Sequence, residues 1–412
     1  MMIITSCLSS FILYAGEKIT LDQAKQYAID KNYHLKSLQK EKEALYFQSN
    51  LEASKFFPEL SMVSAISRYG ASAKETGSVA YADFKYNLFN GFRDQADFHL
   101  SRSDLEKADL LLKKEIFKIG LDVEAAFHTY IYFRDLIDLQ KKSLTMNTEH
   151  QSLVNKTKKT GLINATDVME FIIKDAMLRS DLELIMQNLE ETRISLKSLL
   201  GDQVGSGITP VGSLQHQHIR GSLMSYIDRI KTSSFPVKIA NIDLKQANIR
   251  IRRLRSSWLP SLNLEIQAGQ ITNETKDFNV NFLLSMNFAL FSGFESRYER
   301  QKEYSRLERD ENLLKESILQ SVSGIERSFK RLRTIERRVD LEEHNTDRSK
   351  KYYTSVKNEY LRGYKNSSDL ASAAERYTES RKRKIEFMYE FLMEKITLER
   401  SLGEEADVEL IH

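Results

Sequence analysis

The sequence predicts a mainly α-helical chain with a small β part, built as two tandem copies of a helix–β-hairpin–long helical hairpin unit. Three observations carry this. The 412 residues hold only 4 Pro and 16 Gly, so long stretches run without a helix breaker. Short motifs recur at one fixed spacing. Apolar residues alternate between a period of two and a period near 3.5 in the same order in each half.

The repeat comes first. Leu88-Phe89-Asn90-Gly91-Phe92 returns as Leu290-Phe291-Ser292-Gly293-Phe294, 202 residues later. Pro58 and Pro260 share that spacing, as do Gly161, Asn164 and Asp167 with Gly363, Asn366 and Asp369, and Leu200-Gly201 with Leu402-Gly403. Four separated anchors at one spacing divide the chain into a first repeat at 17–204 and a second at 222–404. Between them, 205–221 is Gly-rich and reads as a linker. Residues 405–412 form a tail. Residues 1–16 are apolar and small, as in a secretory leader. Ile4-Thr5-Ser6-Cys7 gives a second reading, a lipoprotein-type leader acylated at Cys7.

Each repeat opens with a helix. Thr20 and Gln23 form a capping box, and Leu21, Ala24, Ala28 and Leu35 share a face. This helix is expected to continue to about Lys55 and stop before Pro58. The counterpart face carries Leu223, Tyr226, Ile230 and Val237, with Pro236 disturbing it. Strands follow. Leu262, Leu264, Ile266 and Ala268 alternate with polar residues. So do Phe282, Leu284, Met286, Phe288 and Leu290, and Ala82, Phe84, Tyr86 and Leu88; the 60–69 segment is less regular. Polar stretches at 70–78 and 272–279 make hairpins. From Arg93 to Lys158 the residues Leu112, Ile116, Ile119, Val123, Ala126, Tyr130, Phe133 and Ile137 mark a coiled-coil seam. A helix of that length spans about 100 Å. A return helix runs from about Ala165 to Leu199, and the second repeat turns at Arg362-Gly363.

The strands have one apolar and one polar face, as in a lipid-exposed barrel. Four strands cannot close one, and open edges are not tolerated in lipid. If these strands span a membrane, several chains must share a barrel, eight strands in a dimer or twelve in a trimer; the alternative is a soluble half-buried sheet packed on the helices. An eight-stranded interior fills with side chains, whereas twelve leave a passage.

Taken in order, Thr20-Leu21-Asp22-Gln23-Ala24 with Asn32, Phe57-Pro58 and Leu259-Pro260, the Leu-Phe-x-Gly strand ends, and the turns 161–168 and 363–370 resemble the TolC-like outer-membrane efflux proteins over residues 18–404. The resemblance implies a homotrimer with a 12-stranded outer-membrane β-barrel and a periplasmic α-helical coiled-coil tunnel. It implies a passive exit duct of a tripartite efflux or type I secretion system, located in the cell outer membrane among its lipids. Its partners would be a periplasmic membrane-fusion adaptor and an inner-membrane pump or ABC exporter. The strand ends would be Pro58, Phe89, Gly91, Pro260, Phe291 and Gly293. Gly161, Leu162, Asn164, Asp167, Gly363, Tyr364, Asn366 and Asp369 would form the adaptor-docking tip. Asp369 would be a gate residue, although Ser372 stands where a second aspartate is expected. By elementary chemistry Gly161 and Gly363 suit a left-handed helix end, and Asn164 and Asn366 suit N-caps facing Asp167 and Asp369.

No catalytic constellation, cofactor motif or metal-ligand spacing is present, and no enzyme is expected. The single Cys7 excludes an intrachain disulfide. His216 and His218 read as solvated linker residues. The run Arg381-Lys382-Arg383-Lys384 lies beside Glu375, Glu379 and Glu386 and reads as an ion-paired face. A net charge of +3 gives no reason to expect nucleic acid. The competing reading is a soluble periplasmic coiled-coil scaffold or adaptor.

Overall fold

The structure is a computed structural model that describes residues 18–69, 75–158, 165–201, 208–215, 217–271, 277–404 and 408–410. In chain order, β1 (Lys18–Ile19), α1 (Leu21–Lys31) and α2 (Tyr33–Ser54) lead to β2 (Glu59–Tyr69) and β3 (Glu75–Asn90). Then come α3 (Arg93–Lys158), α4 (Ala165–Leu200), β4 (Thr209–Pro210) and β5 (Gln217–Ile219). The second half gives α5 (Leu223–Ser233), α6 (Phe235–Arg253), a 3-10 turn (Leu254–Trp258), β6 (Ser261–Gln270) and β7 (Asn279–Asn287). It ends with α7 (Glu295–Leu361), α8 (Ser367–Leu402) and β8 (Val408–Leu410). Each of α5 to α8 begins 202 residues after α1 to α4 in turn.

The chain forms two compact units, each drawing on both halves: 36–113 with 235–319, and 1–35 with 114–234 and 320–412. The unit of 36–113 and 235–319 holds one antiparallel sheet in the order β2-β3-β6-β7. The two hairpins are joined where Ala82 faces Ala268 and Phe84 faces Ile266. Alternation puts Met62, Leu284 and Met286 on a solvent-open apolar face, 85%, 66% and 66% exposed. Asp83 and Lys85, 2.8 Å apart, point to the other face, where Glu265 lies 4.0 Å from Lys85. β3 pairs as far as Asn90, opposite Ser261. Its counterpart β7 ends at Asn287, short of the expected Leu290, because no described strand lies on its outer side.

Strand becomes helix through two left-handed residues in each half. Gly91 and Phe92 have φ of 70° and 68°, and Gly293 and Phe294 have 63° and 65°. Phe92 stands edge-on to Phe89 at 5.2 Å, and Phe294 to Phe291 at 5.5 Å. Leu259 is extended before Pro260, as the proline requires.

In the other unit, Thr20 accepts from the Gln23 amide and Gln23 returns the bond at 3.0 Å. The expected single helix to Lys55 is instead two. Asn32 is extended (ψ 120°), and its side chain accepts from the Leu35 amide at 3.0 Å, so it caps a new helix rather than continuing the old one. Ser234 breaks the second copy in the same way (ψ 127°), and Pro236 sits in the first turn of α6, where its missing N–H costs nothing. The α3 seam is buried at Ile119, Val123, Tyr130 and Ile137. Glu124 is buried among Lys25 (2.5 Å), His128 (3.7 Å) and Lys395 (3.8 Å). Burial pushes its carboxyl up, but His128 and the two lysines outweigh that and hold it at about 2.

Two expectations for the linker change. Thr209–Pro210 pairs with Lys18–Ile19, and Gln217–Ile219 with Val408–Leu410, so the segment is pinned by strands and by buried Ile208 and Ile219. His218 is not merely solvated: its Nδ1 lies 2.5 Å from Glu336 on α7, a partner 118 residues away that local spacing cannot reveal. His216 lies outside the described residues.

The glycine at the joint is testable. A Cβ on Gly91 would stand 2.8 Å from the Ser256 Cα, whereas one on Gly293 meets nothing within 4 Å. In the detergent-solubilised monomer, Gly293→Ala should therefore cost only left-handed strain, about 1–2 kcal/mol. Gly91→Ala should lower the thermal midpoint further, because backbone must move. Equal midpoints for the two variants would contradict the close approach to Ser256.

Candidate functional site

The helix-turn ends are the candidate docking site. Of the first turn, Gly161, Leu162 and Asn164 lie outside the described residues, and Asp167 is placed only as backbone of α4. The second turn is complete. Gly363 takes φ 80°, which lets the Gly363 N–H donate to the Tyr360 carbonyl and the Tyr364 N–H to that of Glu359. Tyr364 projects outward, 78% exposed. Asn366 caps α8: the Asp369 N–H donates to its Oδ1 at 2.8 Å, and the Asn366 N–H donates to Asp369 Oδ2 at 3.3 Å. The Asp369 carboxylate is thereby committed to the turn, with Lys365 at 4.0 Å. Ser372, one turn on, is exposed.

Beneath the turn, Val154 of α3, Phe171 of α4, Tyr360 of α7 and Leu370 of α8 form one buried cluster. This cluster brings the ends of all four helices together. Several buried polar groups near it find partners from another helix. Asn147 donates to the Phe171 carbonyl at 2.9 Å and Gln140 to that of Leu178 at 2.9 Å. His150, 1% exposed, shares a 2.8 Å hydrogen bond with the Tyr353 hydroxyl and packs edge-on to Phe171. Tyr353 in turn stacks on Tyr377 at 5.9 Å. Burial, with Lys357 nearby, holds His150 down at about 4, and burial pushes Tyr353 up to about 12. Along the same helices, α3, α4 and α8 enclose a groove of about 650 Å³. Sequence reasoning missed this His150–Tyr353 link, because its partners lie 203 residues apart and neither sits in a motif. The expected strand ends Pro58, Phe89, Gly91, Pro260, Phe291 and Gly293 fall at the borders of β2, β3, β6 and the α7 start. The described residues hold no group of three or more His, Cys, Asp or Glu fit for a metal ion, and no helix among them is long and apolar enough to cross a membrane.

The buried imidazole gives a pH dependence. His150 titrates near 6.5 when unfolded and near 4 when folded, so the folded chain binds fewer protons in between. Its contribution is complete above about pH 6.5 and is lost as pH falls toward 4. Over that window His150→Gln should flatten the fall in unfolding free energy, followed by denaturant titration at each pH, by on the order of 2 kcal/mol. Parallel curves for variant and parent would refute it.

Residues 227–404 match the family described as outer membrane efflux protein. No curated protein matches the chain in sequence. Among solved structures, a membrane protein from Pseudomonas aeruginosa aligns with a TM-score of 0.80 at 17% identity, covering 96% of this chain and 92% of its own. The outer membrane protein VceC from Vibrio cholerae gives 0.81 at 12% identity, covering 94% and 97%. The CmeC outer membrane channel of Campylobacter jejuni gives 0.80 at 13%, covering 94% and 86%. Residues 227–404 therefore match the outer membrane efflux protein family, and the whole chain shares the fold of these solved outer-membrane proteins.

Proposed function

We propose that the protein is the outer-membrane exit duct of an efflux or type I secretion machine, a homotrimer whose three four-stranded sheets close one 12-stranded barrel. One observation carries this: the sheet exposes an apolar face and has two edges, β2 and β7, without a partner among the described residues. Such a sheet needs lipid on its face and another chain at its edges. The family match and the likeness to outer-membrane channels support the same reading.

The edges are complementary by quasi-equivalence. β3 meets β6 within the chain. Shifting that register by 202 residues brings β7 of one copy against β2 of the next, with Met286 opposite Ser64 and Leu284 opposite Ile66. The same shift brings Gly293 against Ser54 of the neighbouring copy, as Gly91 meets Ser256. Twelve strands rather than eight leave the lumen open for cargo. The helical hairpins would form the periplasmic tunnel. Their turns, with Gly363 and the exposed Tyr364, would receive a periplasmic adaptor coupled to an inner-membrane pump or ABC exporter. The first-repeat turn would contribute Gly161, Leu162, Asn164 and Asp167. Asn366 and Asp369 shape the second turn, and three copies of Asp369 would place a weak negative ring there.

Two experiments test this reading. In a Cys7→Ser background, Met286→Cys with Ser64→Cys should oxidise in isolated membranes to a covalent trimer. Monomers alone, a ladder ending at dimers, or recovery of the native chain in the soluble fraction would refute the assembly. Tyr364→Ala should reduce co-purification of the adaptor at least tenfold while trimer yield and thermal midpoint stay unchanged. Undiminished adaptor capture would remove the turn from the docking surface.

A further inference from the structure

A second surface lies on the sheet-bearing unit. A groove of about 1220 Å³ runs between α3 and α6, directly below the Gly91-Phe92 joint. Cross-helix bonds set its register. Arg253 meets Asp97 at 2.7 Å, Gln246 meets Asp104 at 2.8 Å and Lys245 meets Glu106 at 2.6 Å. Antiparallel helices so registered put Arg252 level with Phe98, next to His99 and one turn from Arg102, and Arg255 level with Gln95. These four basic side chains fall within about seven residues of helix, roughly 10 Å.

Charge in the groove is one-sided. Its carboxylates are already neutralised, Glu106 by Lys245 and Asp109 by Lys42 at 2.5 Å and Lys113 at 2.7 Å. Arg102, Arg252 and Arg255 are exposed and make no ion pair with any described residue; Arg102 only lies over the Phe98 ring. At its upper end the groove is lined by Phe92, which touches Phe89, the neighbour of Leu262 on the apolar sheet face. An apolar surface thus leads into an arginine cluster. Helix packing does not demand this. The counterpart positions 202 residues away carry Gln301 and Tyr304 for His99 and Arg102, and Asn50 and Ala53 for Arg252 and Arg255.

We propose that this groove binds the headgroup of an anionic phospholipid, with the phosphate held by Arg102, Arg252 and Arg255 and the acyl chains lying on the sheet beyond Phe92. Guanidinium forks suit phosphate oxygens, and a cation beside a membrane surface favours an anionic headgroup by about 1 kcal/mol, about fivefold in affinity. The site rests on the reading that the sheet lies in a membrane.

The test uses the full chain, purified in detergent and probed by native mass spectrometry with phosphatidylglycerol, with phosphatidylcholine and with inorganic phosphate. The parent should retain phosphatidylglycerol at least tenfold more strongly than phosphatidylcholine, and inorganic phosphate should not compete. The triple variant Arg102→Ala, Arg252→Ala, Arg255→Ala should lose that preference at least tenfold. The triple Lys variant should keep most of it, and Gln301→Ala with Tyr304→Ala should leave it unchanged. A preference that survives the alanine triple overturns the site, and competition by inorganic phosphate overturns the lipid as its occupant. Trimers that insert into membranes but bind both lipids alike refute only this inference. A chain recovered without detergent that binds neither lipid refutes the channel reading itself.

Discussion

A strand that must become a helix within two residues needs a sharp change of direction, and here two consecutive left-handed residues supply it in both halves. Glycine enters that region without penalty, but Phe92 and Phe294 do not, at roughly 1–2 kcal/mol each. Each strained phenylalanine gains an edge-to-face contact with the aromatic three residues before it, worth about 0.5–1.5 kcal/mol. The conformation is thus held by its own neighbours. Gly91 also lets the chain approach Ser256, which fixes where β6 begins and hence how the two hairpins meet. The continuous sheet and the groove beneath it both follow from this joint.

The sheet has a physical asymmetry that its sequence lacks. β3 and β7 occupy equivalent positions, yet among the described residues β3 is paired on both sides and runs to Asn90, while β7 is paired on one side and stops at Asn287. Strand length here reports the number of partners rather than propensity. Gly91 and Gly293 show the same asymmetry, one crowded and one open, with nearly the same φ. On the proposed assembly, a second copy of the chain is the body whose surface complements the open side.

The helical unit solves a different problem. Its helices bury polar side chains, and several are matched by a partner from another helix. Glu124 is held by cations from α1 and α8, His150 by Tyr353, and Asn147 by a backbone carbonyl of α4. Buried polar groups of this kind cost free energy unless satisfied. They therefore fix which helix faces which more tightly than an apolar seam would.

The sequence alone determined the periodic features. Four spaced anchors marked the 202-residue spacing, and the alternation of residues such as Leu262 and Leu264 located the strands. The absence of proline between Arg93 and Lys158 allowed one long helix, and Asn366 with Asp369 marked a capped turn. These signals are local, so they survive without a fold. The tertiary structure decided what depends on distant partners. Asn32 and Ser234 end helices because their backbones turn extended there, although the apolar period continues through them. His218 found Glu336 and His150 found Tyr353 across 118 and 203 residues. Arg252 and Arg255 came to face His99 and Arg102 only once ion pairs had set the register of α6 on α3. Contacts between residues so far apart leave no periodic trace, because chain folding rather than spacing brings them together.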